Sequence, residues 1–228
     1  MNRREMTALG LAAVVLILSA TSGEARPAHR TTLQGDLLDR AVAAWAKVKT
    51  ARGTFEQTIT NPLTGRTMTA TGEYQQERPG RLAVTFADPA NDRIIADGKF
   101  VWLYLPSSAP DQVIKSPLGA GGTGTMDLTA QFLTAPRSKY TISPVGTLVV
   151  GGRATHGYNL IPKNTEDAPF KAASVWIDDT DATIRQFEVA EPNGVQRRIR
   201  LTSFKTNVPV DASAFRFTPA AGVRVVER

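Results

Sequence analysis

Cysteine is absent from all 228 residues, and histidine occurs twice, at His29 and His156. Without thiols there is no disulfide staple, no thiolate nucleophile and no cysteine-bound metal. Two histidines so far apart do not make a zinc site. The same absence removes the acylated cysteine that anchors an exported lipoprotein. Catalytic signatures are missing too: there is no G-x-S-x-G elbow, no H-E-x-x-H and no P-loop. Carboxylates such as Glu56, Glu73 and Glu77 have no evident catalytic partner in the sequence. Positive charge is in modest excess, at +6, but Lys and Arg are scattered and not interleaved with aromatics. That distribution argues against nucleic acid and for an acidic protein partner or an anionic membrane surface. The expectation is a protein that is not an enzyme and uses neither cofactor nor metal.

Long apolar runs are nearly absent as well. The exception, MTALGLAAVVLILSA (6–20), is too short for a membrane span and follows Arg3 and Arg4. Gly23 and Ala25 then stand where a signal peptidase reads small residues. Residues 1–25 are therefore expected to be a cleaved export signal, with the mature chain starting at Arg26. Its removal takes away equal numbers of acidic and basic residues, so the net charge stays at +6. Residues 26–228 are enough for a single domain with a sizeable core.

What is present is mostly strand. DLLDRAVAAWAKVKT (36–50) is the one long helical pattern, with Leu38, Ala41, Val42, Trp45 and Val48 on a stripe and Asp36 as its expected N-cap. Strand patterns follow from GTFEQTIT to KFVWLYLP, separated by Gly, Pro, Asn or Asp, with a hairpin turn at Asp97-Gly98-Lys99. TMDLTAQFLTAP (125–136) reads as a second, shorter helical stretch closed by Pro136. More strands run from TLVVGG to VQRRIRLTSF, and Phe215 and Phe217 are expected to open an edge strand near the end. About ten strands with two helical insertions predict an α+β fold, in which one large curved antiparallel sheet carries helices on one face. In RLAVTF, Leu82, Val84 and Phe86 alternate with Arg81, Ala83 and Thr85, so one face is apolar. Two helices cannot cover so large a sheet, and the shape invites a cavity between them. GAGGTG (119–124) matches the dinucleotide pattern by letter only, since Pro117 and antiparallel surroundings deny it a βαβ unit. DDTD (178–181) lacks the Gly and distal Glu of a calcium loop and reads as a hairpin turn.

The order of KVKTARGTFEQTIT, G-E-Y-x-x-E-R-P-G-R-L, DGKFVWLYLP and VDASAFRFTPAAGVRV resembles the periplasmic outer-membrane lipoprotein carrier proteins, the LolA family. The resemblance spans most of 36–228 and is weakest over 137–172. It implies an incomplete, half-open antiparallel β-barrel whose apolar cavity is capped by a lid of helices. It also implies a monomeric carrier that takes acylated lipoproteins from an inner-membrane lipoprotein-releasing ABC transporter to an outer-membrane acceptor protein or to the membrane itself. By the same resemblance Arg78 is the lid latch of an R-P motif, and Trp45 falls on the lid helix. Ile59, Leu82, Val84, Phe86 and Trp102 join Trp45 as candidate acyl-chain cavity residues. Leu82 and Val84 stand where the family more often has aromatics. The alternative is a periplasmic sensor that uses the same half-barrel to detect lipid or a mislocalised lipoprotein.

Overall fold

A computed structural model describes residues 29–119, 127–166 and 168–228. The expected export signal over 1–25 and residues 120–124 of GAGGTG lie outside them. The first helix, α1 (His29–Ala46), starts well before Asp36, so Asp36 lies inside the helix and is not its N-cap. The expected stripe is correct where side chains are described: Leu38, Ala41, Trp45 and Val48 are buried and Val42 packs beside them. The helix ends in a tightened turn, where the amides of Lys47 and Val48 donate to Ala44 and Trp45 carbonyls three residues back.

Six strands follow in a meander: β1 (Thr50–Asn61), β2 (Arg66–Glu77), β3 (Arg81–Asp88), β4 (Arg93–Asp97), β5 (Phe100–Tyr104) and β6 (Gln112–Pro117). Asp97 shapes the expected hairpin, its Oδ1 accepting from the amides of Lys99 and Phe100. Two short helices come next, α2 (Leu128–Leu133) and α3 (Pro136–Lys139). Pro136 therefore opens a helix where the sequence reading had it close one. Its fixed φ and missing N–H suit a first helical position. A second meander contains β7 (Tyr140–Val150), β8 (Arg153–Pro162), β9 (Ala172–Asp178), β10 (Ile184–Ala190) and β11 (Gln196–Thr206). The chain closes with a 3-10 turn (Ala212–Phe215) and β12 (Arg224–Glu227).

The strands form one twelve-stranded sheet in the order β12-β6-β5-β4-β3-β2-β1-β11-β10-β9-β8-β7. Every neighbouring pair is antiparallel except β12 with β6. The two meanders are joined by β1 against β11, and β7 and β12 remain unpaired edges, so the barrel is half-open. Register shifts at Thr54/Phe55, Thr71/Gly72 and Pro144/Gly146 add local bends. The sequence reading missed β6 and misplaced the last strand. Phe215 is buried in the 3-10 turn and Phe217 lies after it, and both pack on the outer face of the sheet with Ala83, Ile95 and Trp102.

The helices cover one half of the inner face. Leu37, Leu38, Ala41 and Trp45 of α1, with Phe132 and Leu133 of α2, pack on Tyr158, Val175, Ile177 and Phe187 of β8–β10. Burial of side chains of this size is worth roughly 1.5–3 kcal/mol each. The β1–β5 half of the inner face is left with a cavity.

Candidate functional site

Strand register decides which residues enter the cavity. Gly53, Tyr74, Val84, Ile94 and Leu103 stand opposite one another across β1–β5 and make one inner row. Gln76 and Leu82 make the next row, towards the helices, and Ile59 faces Met68 near the β1–β2 turn. The space above them is about 710 Å³, lined by Ile59, Leu82, Val84 and Phe86 and by Phe187, Val189 and Ile199 from the other meander. Cavities of roughly 300–1,000 Å³ bury most of a small apolar ligand. Gly72 makes the floor possible: a Cβ there would run into the backbone oxygen of Thr85 and come 2.9 Å from the ring of Phe55, which meets Phe86 edge-on with centroids 5.6 Å apart. The G-E-Y motif thus carries a steric requirement that the sequence reading did not interpret.

Two of the sequence-predicted cavity residues stand elsewhere. Trp102 faces the opposite side of β5, in register with Ile95 and Ala83, and packs on Phe217 with centroids 5.5 Å apart. Its Nε1 donates to Asp97 Oδ2 at 2.9 Å. Trp45 is buried in the helix–sheet core and does not line the cavity; its ring is covered by the Arg78 guanidinium, whose Cζ is 4.8 Å from the ring centroid.

The end of β2 ties both helices to the sheet. Arg78 Nη1 donates to the carbonyls of Trp45 (2.8 Å) and Val48 (3.0 Å), and its amide donates to Lys49 O at 2.8 Å. Those carbonyls belong to the last turn of α1 and the residues just after it, where the helix offers no further amide and the dipole favours a cation. Two residues earlier, Gln76 Nε2 donates to Asp127 Oδ2. Asp127 is the N-cap of α2, its Oδ1 accepting from Ala130 N at 2.8 Å. Burial pushes the Asp127 carboxyl up from its ordinary range, against the hydrogen bonds from Ala130 and Gln76 that favour its charged form. Burial likewise pushes the neighbouring Tyr74 phenol up, with the Asp127 charge adding to it. Gln76, Asp127 and Tyr74 were missed at the sequence level. The periodicity of β2 places Tyr74 and Gln76 on one face, but nothing in the sequence pairs Gln76 with a residue 51 positions away.

The opposite end of the cavity, where the lining residues Met68 and Thr69 are exposed, is open and more polar. There Arg197 lies between Glu191 (Nη2 to Oε1, 2.8 Å) and Gln57 (Nη1 to Oε1, 3.2 Å). The acidic DDTD stretch is a hairpin turn between β9 and β10, with Asp178 bonded to Arg153 and Arg185. Glu56 and Glu77 form surface pairs with Arg200 and Arg81.

The half-barrel is also a fold the chain shares with known proteins. The family described as outer membrane lipoprotein carrier protein LolA matches residues 46–218. An outer-membrane lipoprotein carrier protein of Methylibium petroleiphilum is 26% identical over 193 residues, covering 84% of this chain and 89% of that protein. One from Proteus mirabilis is 29% identical over 195 residues, covering 80% and 90%. Among solved structures, an uncharacterized conserved protein from Thermus thermophilus shares the fold, with a TM-score of 0.53 at 14% identity over 86% of this chain and 99% of its own. The family match extends from the end of the first helix to the outer-face segment after β11. The chain belongs to the LolA family of outer membrane lipoprotein carrier proteins.

Proposed function

We propose that this protein is a periplasmic carrier that holds the acyl chains of lipoproteins in its cavity. In this reading it receives them from an inner-membrane lipoprotein-releasing ABC transporter and delivers them to an outer-membrane acceptor or to the membrane. The observation that carries the reading is the 710 Å³ apolar cavity, open at the β1–β2 end and tied down by Arg78 and Gln76 at the other. Acyl chain gains roughly 0.8 kcal/mol per buried CH₂, so one ~16-carbon chain left in water costs on the order of 12 kcal/mol. A diffusing lipoprotein needs that cost removed and needs no bond made or broken. Ile59, Leu82, Val84 and Phe86 would touch the chains. Trp45 would move with α1 instead of touching them, and Arg78 would favour the closed, empty state. The leader over 1–25 would direct export and be removed before Arg26.

The test uses two forms of one lipoprotein, acylated and with its acceptor cysteine replaced by serine, each expressed with the carrier and recovered from the periplasm. Native mass spectrometry should find the complex with the acylated form alone. Complexes with both forms, or with neither, would contradict the carrier role.

A further inference from the structure

The β1–β2 hairpin forms the rim of the open end, and its tip breaks the usual rule for a solvent-facing turn. Asn61 and Thr64 hold that turn: Asn61 Oδ1 accepts from the amides of Leu63 (3.0 Å) and Thr64 (3.4 Å), Thr64 Oγ1 accepts from the amide of Arg66 (3.4 Å), and Gly65 takes a φ of +68°. The side chain of Leu63 takes no part in these bonds, yet Leu63 stands 86% exposed. Met68, on the returning strand, is 58% exposed and also lines the cavity opposite Ile59. Single exposed apolar residues are ordinary, but two on one hairpin, continuous with an apolar cavity, are not scattered surface. Between them lies Arg66, exposed and without an ion-pair partner among the described residues. Pro62 rests near Gly194 of the β10–β11 hairpin, so two turns stand side by side at this end.

We propose that this hairpin tip docks the open end of the cavity on an anionic lipid surface, with Leu63 entering the bilayer interface and Arg66 meeting phosphate. Apolar insertion and basic attraction are each weak alone and act together in reversible membrane binding. The chain's net charge of +6 has the sign such a surface attracts. Seating the tip would place Met68 and Ile59 against lipid, giving cargo an apolar path that avoids water. The inference rests on the carrier reading, since it assigns the cavity's contents a membrane destination.

The absence of cysteine makes the test clean. A Thr64→Cys variant labelled with an environment-sensitive dye is mixed with vesicles of phosphatidylglycerol and phosphatidylcholine, and Thr147→Cys on the exposed edge of β7 serves as the control. The dye at residue 64 should brighten and shift to the blue with vesicles, and the dye at residue 147 should not. Leu63→Asp should lower vesicle affinity about tenfold or more, while affinity for a fluorescent acyl probe in detergent-free buffer stays unchanged. No response at residue 64, an equal response at both positions, or a response to raised protein concentration without vesicles would overturn membrane docking. The last result would assign the tip to a second copy of the chain. Loss of acyl-probe binding by the unmutated protein would instead sink the carrier reading itself.

Discussion

Arg78 holds the end of α1 through bonds from one nitrogen, to the carbonyls of Trp45 and Val48, while its planar group covers the Trp45 ring. Charge-assisted bonds of this kind are worth roughly 1.5–3 kcal/mol each. If the empty, closed state depends on them, Arg78→Leu should raise affinity for an acyl ligand by about tenfold to a hundredfold. Transfer to acceptor membranes should slow in step, because closing no longer helps expel the cargo. Equilibrium binding and transfer measured side by side check this, and unchanged values in both would reduce Arg78 to a turn residue. Arg78 was legible because the R-P-G corner is a recognisable motif. Its partners were not, since a side chain that donates to backbone carbonyls leaves no mark on the residues it binds. Trp102 shows a different limit. KFVWLYLP is apolar on both faces because β5 is covered on both, by the cavity on one side and Phe217 on the other. Alternation alone cannot say which face is which.

Among the elements, the β9–β10 turn anchors the helix-covered half of the sheet. Asp178 is 1% exposed and accepts from Arg153 Nε (2.6 Å), Arg185 Nε (3.1 Å) and Thr180 N (2.8 Å), while Arg40 of α1 donates to Thr180 O at 3.3 Å. Burial by itself would raise the Asp178 carboxyl, but those donors outweigh it and bring it down to about 2 from 3.8. A carboxylate more acidic in the folded state stabilises the fold above its unfolded value, and that contribution disappears as pH falls through about 2. Asp178 should therefore contribute about 2 kcal/mol at neutral pH, fading between about pH 4 and pH 2. Urea midpoints across that range should fall in the parent protein and fall less steeply in Asp178→Asn, which starts from a lower stability. Parallel curves for the two would contradict the assignment. The α1 stripe and the individual strands were legible from periodicity. The start of α1 was not, because residues 29–36 carry no matching apolar stripe and Asp36 mimics a cap.

At the scale of the molecule, joining β1 to β11 creates the cavity, and that pairing was invisible in the sequence. Ala51 pairs with Thr206 and Thr60 with Gln196, contacts between distant parts of the chain that no local pattern encodes. Local signals gave strands in succession within one large sheet; the long-range register is what makes two meanders the walls of one half-barrel. The same register puts Val84 on the cavity side and Thr85, exposed, on the other. This alternation allows a direct test of what the cavity holds. A photoreactive amino acid is placed at Val84 or at Thr85 in cells that make an acylated lipoprotein, and cross-linked products are compared after irradiation. A lipoprotein adduct should form from Val84, disappear when the lipoprotein cannot be acylated, and be absent from Thr85. Equal adducts from both positions, or an adduct from Thr85 alone, would contradict the carrier reading.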